Sequence, residues 1–128
     1  MINKEVGVML YVDDVAAERK FWQAIGCKVE EEKEEMGYQS FSMRPTSDSS
    51  VVFMVYAKEF IQKVSPEVLN NQPSLLFESE ELLMLHAKIA ELTDKISPIQ
   101  TEPFPNFNFA SPSGIIMPLR AFKMEVSR

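Results

Sequence analysis

The side chains that carry most protein chemistry are scarce in this chain. Its 128 residues include one histidine, His86, and one cysteine, Cys27. A Ser-His-Asp or Cys-His nucleophilic centre would have to recruit His86, and a zinc site built from imidazole and thiolate ligands would lack partners. The four glycines are scattered and form no glycine-rich phosphate loop. These counts predict no catalytic residue, and they limit metal chemistry from the outset.

Both residues are interpreted as structural. His86 lies at the margin of the apolar stripe of a predicted helix, where a lone histidine is more often packed or exposed than metal-ligating. Cys27 follows a predicted helix end, and no neighbouring element would lower its pKa, so we expect a small core residue rather than a reactive thiol. A single cysteine cannot form an intramolecular disulfide, which indicates a reducing compartment.

Length and composition indicate one ordinary folded domain. Hydrophobic residues make up 45% of the chain and charged residues 25%, close to globular averages. Thirteen basic and nineteen acidic side chains give a net charge of −6, which argues against a nucleic-acid partner. The sequence shows no signal-peptide pattern, and no apolar run approaches the roughly twenty residues of a membrane helix. We therefore expect a cytoplasmic protein with no membrane partner.

Hydrophobic periodicity predicts a strand, a helix and three further strands in the first half. The strand from Val6 to Val12 ends at Asp13 and Asp14, which suit a strand exit and a helix N-cap. The helix that follows ends at Gly26 and should pack Trp22 against the sheet. The remaining strands are predicted at Cys27 to Glu35, Tyr38 to Arg44 and Val51 to Tyr56, before a connector from Lys58 to Gln72 that could hold a helical turn.

The same order of elements restarts in the second half. A strand from Ser74 to Glu78 precedes a helix with Ser79 as its predicted N-cap. The helix carries an apolar stripe at Leu82, Leu85, Ile89 and Leu92, and strands are predicted at Ile96 to Gln100, Phe104 to Ala110 and Ile115 to Phe122. Because proline removes a ladder donor, Pro118 predicts a bulge or an edge in the last of these strands.

The two halves have the spacing of a duplication. Tyr11 and Phe77 occupy equivalent strand exits 66 residues apart, close to half of the 128 residues. The sequence therefore predicts an α+β fold with two β-α-β-β-β modules in a single domain of residues 1–128. The modules cover about residues 1–62 and 72–128, with a linker near residues 63–71.

Two segments resemble the vicinal oxygen chelate superfamily, which includes glyoxalase I, bleomycin-resistance proteins and extradiol dioxygenases. The first runs Leu10-Tyr11-Val12-Asp13-Asp14-Val15 and continues through Lys20-Phe21-Trp22 to Ile25-Gly26. The second, Phe109-Ala110-Ser111-Pro112-Ser113-Gly114, is similar to the turn before that superfamily's last strand, with serines in place of both aspartates. The resemblance implies a curled mixed sheet with a concave cavity that binds a small molecule, and it implies a homodimer.

The resemblance also implies where metal ligands would sit. The first-strand ligand of each module falls at Gly7 and near Ser74, the final-strand glutamate falls at Pro118, and the remaining ligand falls within Val51 to Tyr56. That segment contains no His, Asp or Glu, and glycine and proline side chains offer no lone pairs to a divalent metal. A superfamily-type metal site is therefore absent from the sequence, and the prediction is no cofactor.

Strand alternation and side-chain chemistry select candidate ligand-binding residues. If the metal-equivalent positions face the cavity, parity adds Met9 and Tyr11 on the first strand and Arg120 on the last. The aromatic segment before the last turn and the methionines suggest an adaptable apolar wall, although both patterns also occur in ordinary cores. The complete candidate set is Met9, Tyr11, Ser74, Phe107, Phe109, Met117 and Arg120.

The leading functional hypothesis is a metal-independent small-molecule-binding protein. Its acidic charge is compatible with sequestration of a toxic or cationic compound, as the resemblance to bleomycin-resistance proteins implies, although the glutamate run from Glu30 to Glu35 also reads as a soluble strand edge. One alternative is a glyoxalase- or dioxygenase-like metalloenzyme with a non-standard metal site. A second alternative is an interaction module whose cavity is filled by its own side chains.

Overall fold

A computed structural model describes residues 1–121, which form two compact units. Unit 1 comprises Met1–Pro73, and unit 2 begins at Ser74. Each unit has its own sheet, with four strands in unit 1 and three in unit 2, so the α+β class is confirmed. Phe122, at the end of the last predicted strand, lies outside the described residues. No helix among the described residues is long and apolar enough to cross a membrane.

Unit 1 follows the predicted order of elements closely. The helix α1 begins where expected, because the Asp14 carboxylate accepts a hydrogen bond from the Ala17 N–H at 3.0 Å. The elements are β1 Val6–Val12, α1 Val15–Ala24, β2 Lys28–Glu35, β3 Tyr38–Arg44, β4 Val51–Ala57 and α2 Lys58–Val64, followed by a 3₁₀ turn at Pro66–Val68. The connector therefore contains a complete helix, where the sequence predicted at most a turn.

The sheet of unit 1 has the strand order β1-β4-β3-β2. Strand β1 lies at one edge and pairs in parallel with β4, so that Leu10 lies opposite Val55 and Tyr11 lies opposite Tyr56. Strands β2 and β3 form an antiparallel hairpin whose turn residues Met36 and Gly37 both have positive φ, at 54° and 83°. These backbone angles match a two-residue turn whose twist suits a hairpin.

Helix α1 packs against β2, β3 and β4 and covers one face of this sheet. The core on that face contains Leu10, Val12, Phe41, Met43, Phe53 and Val55, each at most 3% exposed. Trp22 is 1% exposed and donates its indole N–H to the Glu18 carboxylate at 2.9 Å. The expected packing of Trp22 is observed, and it brings a buried carboxylate with it.

Arg44 ties together chain segments at one end of this sheet. Its Nε donates to both carboxylate oxygens of Glu30 on β2, at 2.9 and 2.8 Å, and its other nitrogens donate to Glu5 and to the Ser49 carbonyl. The hydrogen bonds to Glu5 and Glu30 raise the pKa of Arg44. A guanidinium fork can serve several acceptors at once, so one side chain fixes the segment before β1, strand β2 and the loop after β3.

Unit 2 has the strand order β5-β7-β6, with a parallel and an antiparallel pair. Its elements are β5 Phe77–Ser79, α3 Leu82–Leu92, β6 Asn106–Ala110 and β7 Ile116–Ala121. Helix α3 contacts β6, and its Ile89 is completely buried. The prediction that Ser79 is the N-cap was wrong: Glu81 occupies that position, and the Ser79 hydroxyl accepts a bond from the Glu81 N–H before the helix begins.

Pro118 explains why β5 is short. Strand β7 is the middle strand, and its register with β6 runs without a shift, so the predicted bulge is absent. Pairing with β5 starts only where Phe77 lies opposite Leu119, one residue after Pro118. Because proline has no N–H to donate, the parallel ladder cannot extend back toward Ser74. The predicted strand from Ser74 to Glu78 is therefore reduced to its last residues, and Ser74 precedes it.

The predicted strand from Ile96 to Gln100 is reduced to two isolated bridges, opposite Phe109 and Asn106. Pro98 interrupts this segment, and the Ser97 hydroxyl accepts the Asn108 N–H at 2.9 Å in place of a backbone carbonyl. The Ser97 N–H donates to the Asn108 carbonyl at 2.8 Å. The backbone N–H and C=O of Asn108 on the outer edge of β6 are thus hydrogen-bonded by this segment, although its pairing is too irregular for it to form a strand.

We predict that the bond between Trp22 and Glu18 stabilises unit 1 measurably. Trp22→Phe should lower the free energy of unfolding by about 2–3 kcal/mol, because a buried carboxylate loses a donor and the core loses ring volume. In a Glu18→Leu background the same substitution should cost only the packing component, about 1 kcal/mol. Urea denaturation of the four variants of this cycle measures both values, and equal losses in the two backgrounds would contradict the prediction.

Candidate functional site

The sheet face of unit 1 that α1 does not cover is defined here as the open face. Strand alternation and the pairing of β1 with β4 place Met9, Tyr11, Met54 and Tyr56 on it. Met9 is 41% exposed and Met54 36%, whereas both tyrosines are half-buried. The open face therefore presents large apolar side chains to solvent, unlike the usual polar outer face of a sheet.

Strand β3 and the edge strand β2 add polar groups to the open face. Ser42 lies opposite Met54 and Ser40 lies opposite Tyr56, and on the other side these serines face Glu31 and Lys33. A shallow depression with a cavity volume of about 40 Å³ is lined by Glu31, Lys33, Ser40, Phe41, Ser42, Met54 and Tyr56. The Lys33 ammonium lies 3.7 Å from a Glu31 carboxylate oxygen, so the rim charges are partly paired.

Helix α2 places an aromatic ring against Tyr56, one of the residues that line the depression. Phe60 stacks on Tyr56 with a centroid separation of 5.8 Å and an interplanar angle of 19°. It also lies 6.1 Å from the ring of Tyr38. The three rings are named here the aromatic cluster. Because Phe60 comes from α2 and the tyrosines from β4 and β3, this cluster joins the helix to the open face.

The structure places three of the sequence-predicted site residues in the core of unit 2. Phe107, Phe109 and Met117 are 0%, 1% and 1% exposed, and Phe107 packs edge-to-face against His86 on α3 at 4.7 Å. These three side chains are therefore buried on a sheet that contacts α3 through β6, and they do not line an accessible wall; their role in ligand binding stays a prediction. His86 is half-buried and bonds the Ser97 carbonyl through Nε2 at 2.8 Å, in agreement with its structural interpretation.

Arg120 and Ser74 also differ from expectation. Ser74 is exposed and precedes β5. The Arg120 Nε donates to Glu78 at 2.8 Å, and its guanidinium lies 5.4 Å from the Phe104 ring, so an anionic ligand would compete with an internal carboxylate. Glu78 is the register partner of Arg120, a pairing that sequence parity did not include. Met9 and Tyr11 are the candidates that lie on the open face.

Unit 2 has its own, wider and open hollow with a volume of about 440 Å³. It lies over β6 and the segment beside it, and its exposed members are Ile116, Asn108, Gly114 and Lys95. Phe109, its one aromatic member, is buried. Among the described residues, the polar side chains of this hollow are Lys95, Ser97 and Asn108, and it presents no exposed aromatic ring, whereas the depression in unit 1 combines hydroxyls, a thioether and a phenol ring.

The metal positions that the resemblance implies do not fit a metal. At Gly7 a β-carbon would lie 3.5 Å from both Sδ and Cε of Met54, so a thioether fills the space beside this position. Pro118 and Ser74 supply no strong ligand, and Ser74 is outside β5. Within residues 1–121, no three His, Cys, Asp or Glu side chains form a group that could hold a metal ion.

Comparison with solved structures gives the fold. The antibiotic-binding protein TnmS3 from Streptomyces sp. CB03234 superposes with a TM-score of 0.74 at 12% identity, covering 95% of this chain and 98% of that one. A glyoxalase/bleomycin resistance protein from the same organism has a TM-score of 0.68 at 12% identity, with 91% and 98% coverage. Neither a family model nor a curated protein sequence matches the chain.

A third neighbour is the fosfomycin resistance protein FosX from Listeria monocytogenes, in a complex with Mn(II) and a dihydroxypropylphosphonic acid. Its TM-score is 0.69 at 15% identity, and the match covers 99% of this chain and 98% of that one. The fold expected from the sequence resemblance is therefore confirmed: the chain has the glyoxalase/bleomycin-resistance fold, shared by binding proteins and by a protein with a bound metal.

We predict that Cys27 is unreactive at neutral pH. Burial raises its pKa from 9.0 to about 11, so at pH 8 the thiolate is roughly 100-fold rarer than in an unshifted thiol. Alkylation by iodoacetamide, followed by mass spectrometry, should be slower by a similar factor than in the urea-unfolded chain, and its rate should keep rising up to about pH 11. A rate plateau near pH 9 would contradict this assignment.

Proposed function

We propose that this protein binds a small, largely apolar molecule on the open face of unit 1, without a metal ion. The observation that carries the proposal is the row of Met9, Tyr11, Met54 and Tyr56 on a sheet face that α1 leaves uncovered. Burying such side chains against a ligand stabilises a complex by about 25 cal/mol per Å² of apolar surface. An exposed apolar surface beside a depression is the usual setting for ligand binding.

The side chains of the depression suit an adaptable binding site. Methionine is unbranched and polarisable, so Met9 and Met54 can fit ligands of different outline and contact aromatic rings through sulfur. Tyr56 offers a ring face, and the Ser40 and Ser42 hydroxyls can donate or accept hydrogen bonds that fix orientation. This combination favours recognition by shape and apolar contact over reaction of the bound molecule.

Charge favours a cationic ligand. Glu31, Lys33 and Glu35 lie in a row on the β2 edge of the open face, with Lys33 paired to Glu31, so this edge is acidic by one net charge; the whole chain carries a net charge of −6. An acidic rim raises the local concentration of cations and speeds their association. The antibiotic-binding neighbour supports sequestration of a toxic compound as the biological role. We further propose a cytoplasmic homodimer, as composition and resemblance imply.

The alternative of a metalloenzyme is favoured by one observation, the Mn(II) complex of the fosfomycin resistance neighbour. The residues of this chain argue against it, because Gly7, Ser74 and Pro118 stand where ligands would be needed. Binding by the open face requires none of those ligands. The metal-independent function is therefore the proposal that the side chains support best.

We predict that Met54→Ala weakens ligand binding and that Met84→Ala does not. A thermal-shift screen of cationic and aromatic compounds, bleomycin included, identifies a ligand by the stability it adds to the folded state. Calorimetric titration should then show a five- to tenfold loss for Met54→Ala, about 1–1.5 kcal/mol of lost apolar burial. Met84 is 67% exposed on α3 and serves as the matched control.

An equal loss of ligand affinity in Met54→Ala and Met84→Ala would contradict the assignment of the binding site to the open face. Failure of every compound to stabilise the protein would favour an interaction module instead.

We predict that ligand binding is unchanged by metal removal. Protein purified without chelator should contain far less than one equivalent of Zn, Ni, Mn or Fe by plasma mass spectrometry, since the implied ligand positions lack donor side chains. Addition of EDTA should leave the ligand affinity within twofold of its untreated value. Stoichiometric metal, or loss of binding with EDTA that Mn or Zn restores, would overturn metal independence.

A further inference from the structure

Lys63 on α2 lies over an aromatic ring of the open face. Its Nζ is 5.0 Å from the centroid of the Tyr38 ring, within the range of a cation–π contact. Hydrogen bonding to Tyr38 also raises the pKa of Lys63. In the described part of the chain Lys63 makes no ion pair within 4 Å, and the ring is its principal partner.

The groups around Tyr38 favour a positive charge at this point. Glu35 is the register partner of Tyr38 on β2, and Glu59, on the same helix as Lys63, adds a further attraction for its ammonium group. The rings of Phe60 and Tyr56 continue from Tyr38 toward the depression. An aromatic face flanked by carboxylates is the chemistry that recognises alkylammonium groups.

The contact is one that Lys63 can leave. The lysine is exposed, and its helix spans only the seven residues Lys58–Val64, with no side-chain hydrogen bond at the N-cap. Lys58, at the other end of the same helix, is instead ion-paired with Asp13 at 3.2 Å. Of the two lysines of α2, Lys63 is therefore the one that occupies the aromatic cluster.

We propose that Lys63 is an internal competitor for a cation site on Tyr38, and that the ammonium group of a ligand bound in the depression takes its place. The inference rests on the proposed function and assigns that site an alkylammonium-bearing ligand. Lys63 then lowers the affinity for cationic ligands, because the ammonium group of a ligand binds Tyr38 only if it displaces the ammonium group of Lys63. A neutral ligand gains nothing at this point, so Lys63 discriminates by charge.

The test compares two probes, benzyltrimethylammonium and the neutral benzyl alcohol, titrated into ¹⁵N-labelled protein. Chemical-shift changes of the Ser40, Ser42 and Met54 amides report occupancy of the depression. Lys63→Met, which keeps the chain length and removes the charge, should bind the ammonium probe about fivefold more tightly and leave the affinity for benzyl alcohol unchanged. Lys58→Met removes the same charge from the same helix and should give no such gain.

The outcomes separate this inference from the proposed function. An equal gain in Lys58→Met, or no gain in Lys63→Met while either probe still shifts the depression amides, overturns the competitor role and leaves the binding function standing. Tyr38→Leu should abolish the difference between Lys63→Met and the unmodified protein; a persisting difference also overturns the role of the ring. If neither probe shifts those amides at millimolar concentration in any variant, both proposals fail.

Discussion

The in-register parallel pairing of β1 and β4 is the constraint on which unit 1 depends. It sets Leu10 beside Val55 under α1 and, on the opposite face, Met9 beside Met54. A slip of one residue would exchange the two faces of a strand, so the exposed methionines cannot be hidden without exposing Leu10 and Val55. The open face is thus fixed by the core, and its side chains can vary to suit a ligand without disturbing the fold.

Sequence patterns predicted the positions of helices and strands better than they predicted which side chains lie on which face of a sheet. The bounds of β1 and α1 follow from a hydrophobic run and the Asp14 cap, both local signals. Strand β4 is apolar on both faces, so periodicity could not assign Met54 and Tyr56 to the open face until their strand partners were known. The aromatic row of Phe107 and Phe109 was read as a possible cavity wall, and only the packing of α3 shows that it is core.

The duplication predicts positions but not chemistry. In unit 1 the parallel pair extends over seven residues, whereas in unit 2 Pro118 limits it to the three residues of β5. In that short pair Glu78 lies opposite Arg120 and the two side chains form an ion pair, whereas in unit 1 Tyr11 lies opposite Tyr56. A single residue without an N–H therefore limits the parallel pairing in unit 2, and Ser74 lies outside the strand predicted to carry it.

The backbone at Gly7 lies beside the thioether of Met54 on the open face. A side chain at this position would meet the thioether of Met54 at van der Waals distance, so an imidazole there would have to displace it. Glycine on β1 leaves room for the side chain of Met54 on β4, and this pair offers apolar contact rather than a metal ligand. Coordination demands fixed geometry, whereas a flexible thioether accepts many outlines. If the open face binds a ligand as proposed, burial alone gives modest discrimination among shapes, and the proposed competition between Lys63 and the ligand for Tyr38 supplies the more selective element, which is charge.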